Sequence, residues 1–334
     1  MPAENAVPPP FLLEVENLVK EFAVRKNPFD KAMAGKDLKV HAVDGVSFSL
    51  KKGEVLGLAG ESGSGKSTTG RLALRLLDPT SGSVKFEGID LTSLTPEQLR
   101  RQRPRMQMVF QDPLSSLSPR MSLGAAIRHG LDIHNIGEKT DRDDKIRALM
   151  ESVGLTPADF LFQKYPHQIS GGQAQRVVIA RALALNPDFI VADEPIAMAD
   201  VSVRALIMEL LKKLKDEHDL TYLFITHDLA TAKYLCDRVA VMYLGRIVEI
   251  GAKEEIFRRP HHPYTKALLG AVPVPDPNRR RTQELPRGEI PSAVFPPSGC
   301  HFHPRCPFAK PACQESRPPL REISREHQSA CILD

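Results

Sequence analysis

No apolar run in this chain approaches the roughly 18 residues that a membrane-crossing helix needs. The opening residues, Met1 to Pro10, are polar and Pro-rich and lack the basic start and apolar stretch of a secretory signal. The expectation is a cytosolic protein, or one held against the cytosolic side of a membrane. Neither sign of charge dominates. A net charge of +4 over 334 residues does not by itself imply a surface for nucleic acid. Cysteine is scarce, with five residues, which argues against a disulfide framework in a cytosolic chain. Tight Cys-x2-Cys pairs, common in zinc ribbons, are absent. Yet four of the five cysteines fall in the last 35 residues, and that clustering needs its own explanation. What remains is ordinary for a globular chain: 42% hydrophobic and 26% charged residues, and enough length for two domains or one large domain with an appendage.

The most informative stretch is Gly60-Glu61-Ser62-Gly63-Ser64-Gly65-Lys66-Ser67-Thr68, which fits the phosphate-loop pattern G-x-x-x-x-G-K-[ST]. Its context fits too. The apolar run Val55 to Ala59 precedes it and reads as a buried parallel strand, and a helix-compatible run from Thr69 to Leu77 follows. Glycines let the backbone close around an anion, and loop N–H groups at a helix N-terminus point at phosphates. In such a loop Lys66 reaches the β- and γ-phosphates, and the Ser67 hydroxyl ligates Mg²⁺. A Gly/Ser-rich turn with a chance lysine is the plainer alternative.

Around the loop the chain reads as alternating strands and helices. Leu12 to Val19 and Ala42 to Leu50 are expected strands, joined as an antiparallel pair across a long basic interruption at residues 23–41. Phe22 is either a core residue or a flat platform for a nucleobase. Thr95-Pro96-Glu97-Gln98 carries the signals of a helix start. Met106 to Phe110 reads as a strand with Gln111 at its end. From Asp112 to Gln168 no strong strand signal appears, and Ala125–Leu131 and Arg142–Val153 read as helices, so this stretch is expected to be a helical insertion. A helix opened by Ile169-Ser170-Gly171-Gly172-Gln173 runs to Leu185. Phe189 to Ala192 is an apolar strand ending in Asp193-Glu194. Ser202 to Glu217 is an amphipathic helix with Leu206, Leu210 and Leu214 on one face. Thr221 to Thr226 is a buried strand ending in His227. This alternation implies a doubly wound, mostly parallel sheet, an α/β fold whose ligands bind at the carboxyl ends of the strands. The phosphate loop, Gln111, Asp193-Glu194 and His227 all fall at such ends.

Those residue types suit phosphoryl transfer, which is mostly positioning and electrostatics. Asp193 is placed as a metal carboxylate and Glu194 as the group that polarises the attacking water. His227 is placed to touch the γ-phosphate or that water, and Gln111 to sense metal and water. A lone strand-end histidine is more often structural; four polar residues at four strand ends make a stronger case. Ser170-Gly171-Gly172-Gln173 at a second helix N-terminus is also suited to an anion. One chain does not need two such sites for one γ-phosphate, so this one is expected to complete the nucleotide pocket of a partner subunit. A flexible Gly-Gly helix cap is the alternative.

In this order the motifs resemble the ATP-binding subunit of an ABC transporter, over nearly the whole chain. Residues 60–68 resemble Walker A, Gln111 the Q-loop glutamine, and residues 169–173 the LSGGQ signature with Ile169 in place of leucine. Residues 189–194 resemble Walker B with the catalytic glutamate. Asp200 matches the D-loop aspartate, His227 the switch histidine, and Phe22 the adenine-stacking aromatic. The resemblance implies a P-loop NTPase (RecA-like) core with an antiparallel β subdomain over residues 11–111 and 169–250, a helical subdomain over 112–168, and a C-terminal extension over 251–334. Ile196-Ala197-Met198-Ala199 departs from the small polar run usual before the D-loop aspartate.

The tail narrows the resemblance. Ile256-Phe257 through Pro260, His262-Pro263-Tyr264-Thr265 and Leu268-Leu269 look like the tail of oligopeptide/dipeptide importer ATPases, and the basic insertion at 23–41 resembles the second of that system's two ATPases. Residues 271–299 are Pro-rich and expected to be an extended linker. Cys300, Cys306, Cys313 and Cys331 are four thiols in a short segment, a metal-site count. The family carries a [4Fe-4S] cluster on a similar set, and Cys300 to Ala309 matches its sequence context; structural zinc is the rival. Cys236 stands apart, expected as a small buried hydrophobe. The resemblance implies ATP and Mg²⁺ as ligands and a paired ATPase subunit, by family expectation a heterodimer. It also implies two transmembrane permease subunits, a solute-binding protein engaged indirectly, and no nucleic acid. The cargo it implies is di- or oligopeptides, with nickel, glutathione or oligosaccharides as alternatives. A soluble, non-transport ABC ATPase and a metal-bearing regulator with a vestigial ATPase are the competing classes. The first commonly carries two cassettes, or inserted zinc modules or long arms, none of which is read here. The second does not need intact Lys66, Asp193, Glu194 and His227.

Overall fold

The computed structural model describes residues 11–24, 38–197, 200–271 and 288–333. In chain order the strands and helices are β1 (Leu13–Ala23), β2 (Lys39–Leu50), β3 (Val55–Ala59), α1 (Lys66–Ala73), β4 (Ser81–Phe86), β5 (Ile89–Asp90), α2 (Pro96–Gln102) and β6 (Met106–Val109). They continue with α3 (Leu123–His134), α4 (Arg142–Ser152), α5 (Ala158–Phe162), α6 (Gly171–Leu183), β7 (Phe189–Asp193), α7 (Val201–His218) and β8 (Thr221–Thr226). The last are α8 (Leu229–Leu235), β9 (Arg238–Tyr243), β10 (Arg246–Ala252), α9 (Lys253–Arg258), α10 (Pro263–Gly270), α11 (Ala312–Glu315), β11 (Arg321–Ser324) and β12 (His327–Ser329). The chain divides into two compact units, one of Met1–Lys51, Val55–Thr92 and Thr226–Asp334, the other of Lys52–Glu54 and Ser93–Ile225.

In the first unit an antiparallel sheet runs in the order β2-β1-β4-β5. The β1–β2 pairing is antiparallel, as the sequence led one to expect, but β1 runs on to Ala23 and so takes in Phe22. Most of the interruption expected at 23–41 lies outside the described residues, as does the start of the Pro-rich linker. A second set of strands in this unit is ordered β11-β12-β10-β9-β3. Here β3 and β9 are parallel while the β9–β10 and β10–β12 pairs are antiparallel, so the sheet is mixed rather than uniformly parallel. All five residues of β3 are buried, which is why it reads as an unbroken apolar run. Helix α8 lies against β3. Cys236, at the C-terminal end of α8, is fully buried and fills space beside Gly57.

In the second unit β8, β7 and β6 are parallel neighbours. β7 and β8 are buried along their whole length. Residues 112–168 hold α3, α4 and α5 and no strand, as the sequence pattern predicts. The expected face of α7 needs correction. Leu206 is 51% exposed, and the buried stripe is Ile207, Leu210, Leu211 and Leu214. That stripe follows the i, i+3, i+4, i+7 rule from Ile207, one position along from the expected start. Burying each such side chain contributes about 2 kcal/mol. The start of α2 is as expected. The Thr95 hydroxyl accepts from Gln98 N–H, the Gln98 side chain accepts from Thr95 N–H, and Pro96 follows the cap.

Candidate functional site

The phosphate loop of the first unit joins β3 to α1. Its shape needs glycine at Gly65, where φ is +100° and a Cβ would come 2.2 Å from the Ala42 carbonyl oxygen. Gly60 is similarly confined by the Met242 carbonyl at 2.2 Å. Gly65 caps α1 with no side-chain hydrogen bond, so no capping oxygen occupies the helix entrance. Lys66 is buried, and its ammonium donates to the carbonyls of Gly60 and Glu61, at 2.8 Å each, and lies 3.5 Å from the Ser64 hydroxyl. The cation is held inside its own loop. Ser67 and Thr68 are half-buried on the first turn of α1, while Ser62 and Gly63 are exposed. The turn from β9 to β10 supports the loop from below: Gly245 N–H donates to the Ser64 carbonyl at 2.9 Å.

Two other residues expected at the nucleotide belong to this unit. His227 is exposed directly after β8. Its neighbour Asp228 caps α8, accepting from Ala230 N–H at 2.8 Å. Phe22, 38% exposed on β1, carries the Lys20 ammonium 5.2 Å from its ring centre, so it lies at the surface and not in the core.

In the second unit β7 ends in Asp193, which is buried, and Glu194, which is half-buried. Glu194 has φ +46°, a left-handed backbone that costs a non-glycine residue of order 1 kcal/mol or more. Its N–H donates to the Ile225 carbonyl at 3.0 Å, which holds that conformation in place. Gln111, exposed after β6, donates its amide N–H to the Glu194 carboxylate at 3.3 Å. Two residues 83 positions apart are thereby brought together, as the strand-end argument requires. Asp200 is exposed at the start of α7. Ile196, one of the unusual residues before it, is buried; Met198 and Ala199 lie outside the described residues.

The second candidate anion site is the start of α6. Ser170 accepts from Gln173 N–H at 3.3 Å, and the Gln173 side chain accepts from Ser170 N–H at 3.0 Å. This reciprocal capping box satisfies two helix-end donors internally. Ser170 and Gly171 are exposed, and Gly172 packs near Val203.

Comparison with known proteins decides the family. A family model described as ABC transporter matches residues 43–197, and one described as the C-terminal region of oligopeptide/dipeptide transporters matches 248–313. A putative peptide import ATP-binding protein of Brucella ovis is 50% identical over 323 residues, covering 97% of this chain and 98% of that protein. The oligopeptide transport ATP-binding protein AppF of Bacillus subtilis is 47% identical, covering 96% and 97%. This chain belongs to the ATP-binding proteins of oligopeptide/dipeptide ABC transporters. Solved cassettes agree. The ATP-binding cassette MJ0796, in a dimeric post-hydrolysis state with ADP and Pi, matches at TM-score 0.63 and 29% identity over 72% of this chain and 98% of that one. The cbiO1 protein of Clostridium perfringens matches at TM-score 0.62 and 28% identity over 75% and 92%.

The cassette's tail holds features that reading the sequence left without a role. Arg305 reaches back to the phosphate loop and makes two hydrogen bonds to the Glu61 carboxylate, at 2.8 and 3.3 Å. The Tyr264 hydroxyl accepts from Glu61 N–H at 2.9 Å. Burial disfavours charge on Arg305, but its bonds to Glu61 more than offset this and hold its pKa above the ordinary arginine value. Both residues lie inside tail motifs that carried the resemblance, yet 203 and 244 positions of separation hide the contacts.

The four tail thiols expected to act together are brought to one place. Cys300, Cys306, Cys313 and Cys331 line one pocket, with His262 and Phe302. Among the described residues, however, no three His, Cys, Asp or Glu side chains are gathered so as to hold a metal ion. Burial pushes the Cys300 thiol up to about 11 and raises Cys306 and Cys331 as well. The thiolate is the ligating form, so a metal would have to displace those protons on binding. His262, fully buried beside them, is pushed down to about 4 by burial and stays neutral.

Proposed function

We propose that this cassette binds and hydrolyses ATP to drive an importer for di- or oligopeptides. It would do so on the cytoplasmic face of the membrane, with a partner ATPase and two permease subunits. The observation that carries the hydrolytic part is the Glu194 geometry: a carboxylate on a strained, fixed backbone with the Gln111 amide 3.3 Å away. Strain kept at a strand end is characteristic of a working residue. In this reading Lys66 draws the β- and γ-phosphates. Ser67, Asp193 and Gln111 serve Mg²⁺, Glu194 polarises water, and His227 touches the γ-phosphate. Phe22 stacks on the base. Ser170, Gly171, Gly172 and Gln173 of one cassette, with Asp200, close over the nucleotide of the other. Peptide cargo is supported by the names of the Brucella and Bacillus relatives. No helix among the described residues is long and apolar enough to cross a membrane, so spanning segments would be supplied by the permeases.

The test of the hydrolytic role is Glu194→Gln. ATP binding is expected to persist while turnover falls about 10²- to 10⁴-fold, the usual contribution of a positioned base. Unchanged hydrolysis would remove Glu194 from its role.

A second reading concerns the tail. Its support is the donor set: four thiols around one pocket, otherwise lined mainly by apolar side chains. Thiolates are the ligands iron–sulfur clusters take, so Cys300, Cys306, Cys313 and Cys331 would hold a [4Fe-4S] cluster. A cluster supplies one-electron redox chemistry or a structural crosslink. Iron content and visible absorption of the protein as isolated test it; a colourless, zinc-loaded protein would sink it.

A further inference from the structure

Glu61 is held at three points. Its N–H is taken by the Tyr264 hydroxyl, its carbonyl by the Lys66 ammonium, and its carboxylate by the Arg305 guanidinium. Two of the three holders come from the C-terminal extension. Neither is a loose surface contact. The Arg305 side chain is 9% exposed, and Tyr264 is buried at 1%. Arg305 also lies over the rings of Tyr243 and Phe302, 5.8 and 6.0 Å from their centres, and Tyr264 packs on both rings. His301 binds the Leu244 carbonyl at 3.0 Å, in the same β9–β10 turn whose Gly245 supports Ser64. The tail therefore grips the phosphate loop at its first variable position and at the turn beneath it.

We infer that Arg305 and Tyr264 are positioning residues for the phosphate loop, setting nucleotide affinity through Glu61. The physical argument is preorganisation. A phosphate loop binds through backbone N–H groups whose directions must be fixed before the anion arrives. Here Glu61 N–H is fixed by Tyr264, and the peptide plane that carries the Lys66 acceptor is fixed by Arg305 through the side chain of the same residue. Losing either anchor leaves Glu61 free to rotate, and the loop must then be ordered at the expense of binding. The inference rests on the reading that this loop takes ATP.

The test is equilibrium binding of a slowly hydrolysed ATP analogue with Mg²⁺ to the full chain, alongside melting of the nucleotide-free protein. Arg305→Met is expected to weaken binding about tenfold, in keeping with loss of a charge-assisted pair. Arg305→Lys should recover part of that loss. Tyr264→Phe keeps the ring and removes one acceptor, and about a threefold loss is expected. Glu61→Gln combined with Arg305→Met should bind no worse than Arg305→Met alone, because both act through one contact. A purely structural role predicts a lower melting temperature with affinity within twofold of wild type, and that result would overturn the inference. If Arg305→Met does not fold, unchanged affinity in Tyr264→Phe and Glu61→Gln would overturn it equally. Failure of the wild type to bind the analogue would sink the nucleotide reading, and this one with it. Normal wild-type binding with unaffected variants would sink this one alone.

Discussion

The two helix N-termini suited to phosphate are built in opposite ways. At α1 the cap is a glycine that donates no side chain, the loop is braced by buried contacts from the tail, and a lysine already sits inside it. At α6 the cap is an exposed serine that closes a reciprocal box with Gln173, and no charged residue stands in the first turn. The first is a preformed receptor whose cost of ordering is met by folding. The second is a self-satisfied helix end that gains from an anion only when one is delivered to it. That asymmetry fits the composite site proposed above, in which one subunit would hold the triphosphate and its partner would engage it on closure.

The difference can be broken most severely at Gly65. Gly65→Ala forces a Cβ to within 2.2 Å of the Ala42 carbonyl at φ +100°, so the loop must distort. ATP-analogue affinity is expected to fall more than about 100-fold, the order of a lost preformed anion site. Gly171→Ala is the matched substitution at α6, where a Cβ would meet nothing within 4 Å. Equilibrium binding to the isolated chain should not change there. Equal losses in both variants would erase the contrast.

How far this was legible in the sequence depends on distance along the chain. The phosphate loop, the Thr95 box and the helix start at Ser170 are local patterns, and each is found where its residues predict; the Ser170–Gln173 box that closes the last was not foreseen. Gln111 beside Glu194 was reachable by a topological rule, because parallel strands deliver their ends to one edge. The brace from Arg305 and Tyr264 follows no local period and no strand-end rule. It depends on where a long tail folds back, which only packing decides. Leu206 shows a smaller failure of the same kind. Periodicity found the apolar stripe of α7 but not its phase, since a leucine is tolerated on a surface. For the thiols, clustering along the chain indicated a metal count, and packing brings all four to one pocket without gathering three of them as ligands among the described residues.

An intermediate effect sharpens the braced side of the comparison. Glu249 on β10 is fully buried, and one carboxylate gathers His261 N–H at 2.7 Å, His262 N–H at 3.0 Å and the His327 ring at 2.8 Å. It ties α10 and β12 to the sheet that carries the loop's support. Burial alone would raise its pKa, yet those hydrogen bonds outweigh burial and hold it below the ordinary glutamate value. Glu249→Gln puts an amide donor against these donors and should cost about 3 kcal/mol of stability, read by chemical denaturation. A depressed carboxylate stabilises the fold above its unfolded pKa, and that contribution is lost as pH falls through the folded value. Wild type should therefore lose stability below about pH 4.5 more steeply than Glu249→Gln. As pH falls below about 6.5 the half-buried His261 and the buried His262, both pushed downward chiefly by burial, weaken the wild type and weaken Glu249→Gln more, because the Glu249 charge that raises both is gone there. A parallel acid dependence in the two would count against Glu249 as the anchor.

The smallest effect falls on the self-capped side. Ser170→Ala removes the hydroxyl that accepts Gln173 N–H and should cost about 1 kcal/mol of stability, the usual value of a helix cap. Because α6 is capped from within, this loss should leave ATP-analogue binding to the isolated chain unchanged within twofold. Turnover in the assembled transporter is the quantity expected to fall, because the hydroxyl that now caps the helix is the one a partner's γ-phosphate would meet. Ser170→Gly separates the two roles. Glycine is nearly as good as serine at a helix cap, so stability should return to within a few tenths of a kcal/mol while the hydroxyl stays absent. If turnover recovered together with stability, Ser170 would be only a cap and α6 would need no anion. If turnover stayed low in a protein of normal stability, the exposed serine would be the half of the site that waits for its partner.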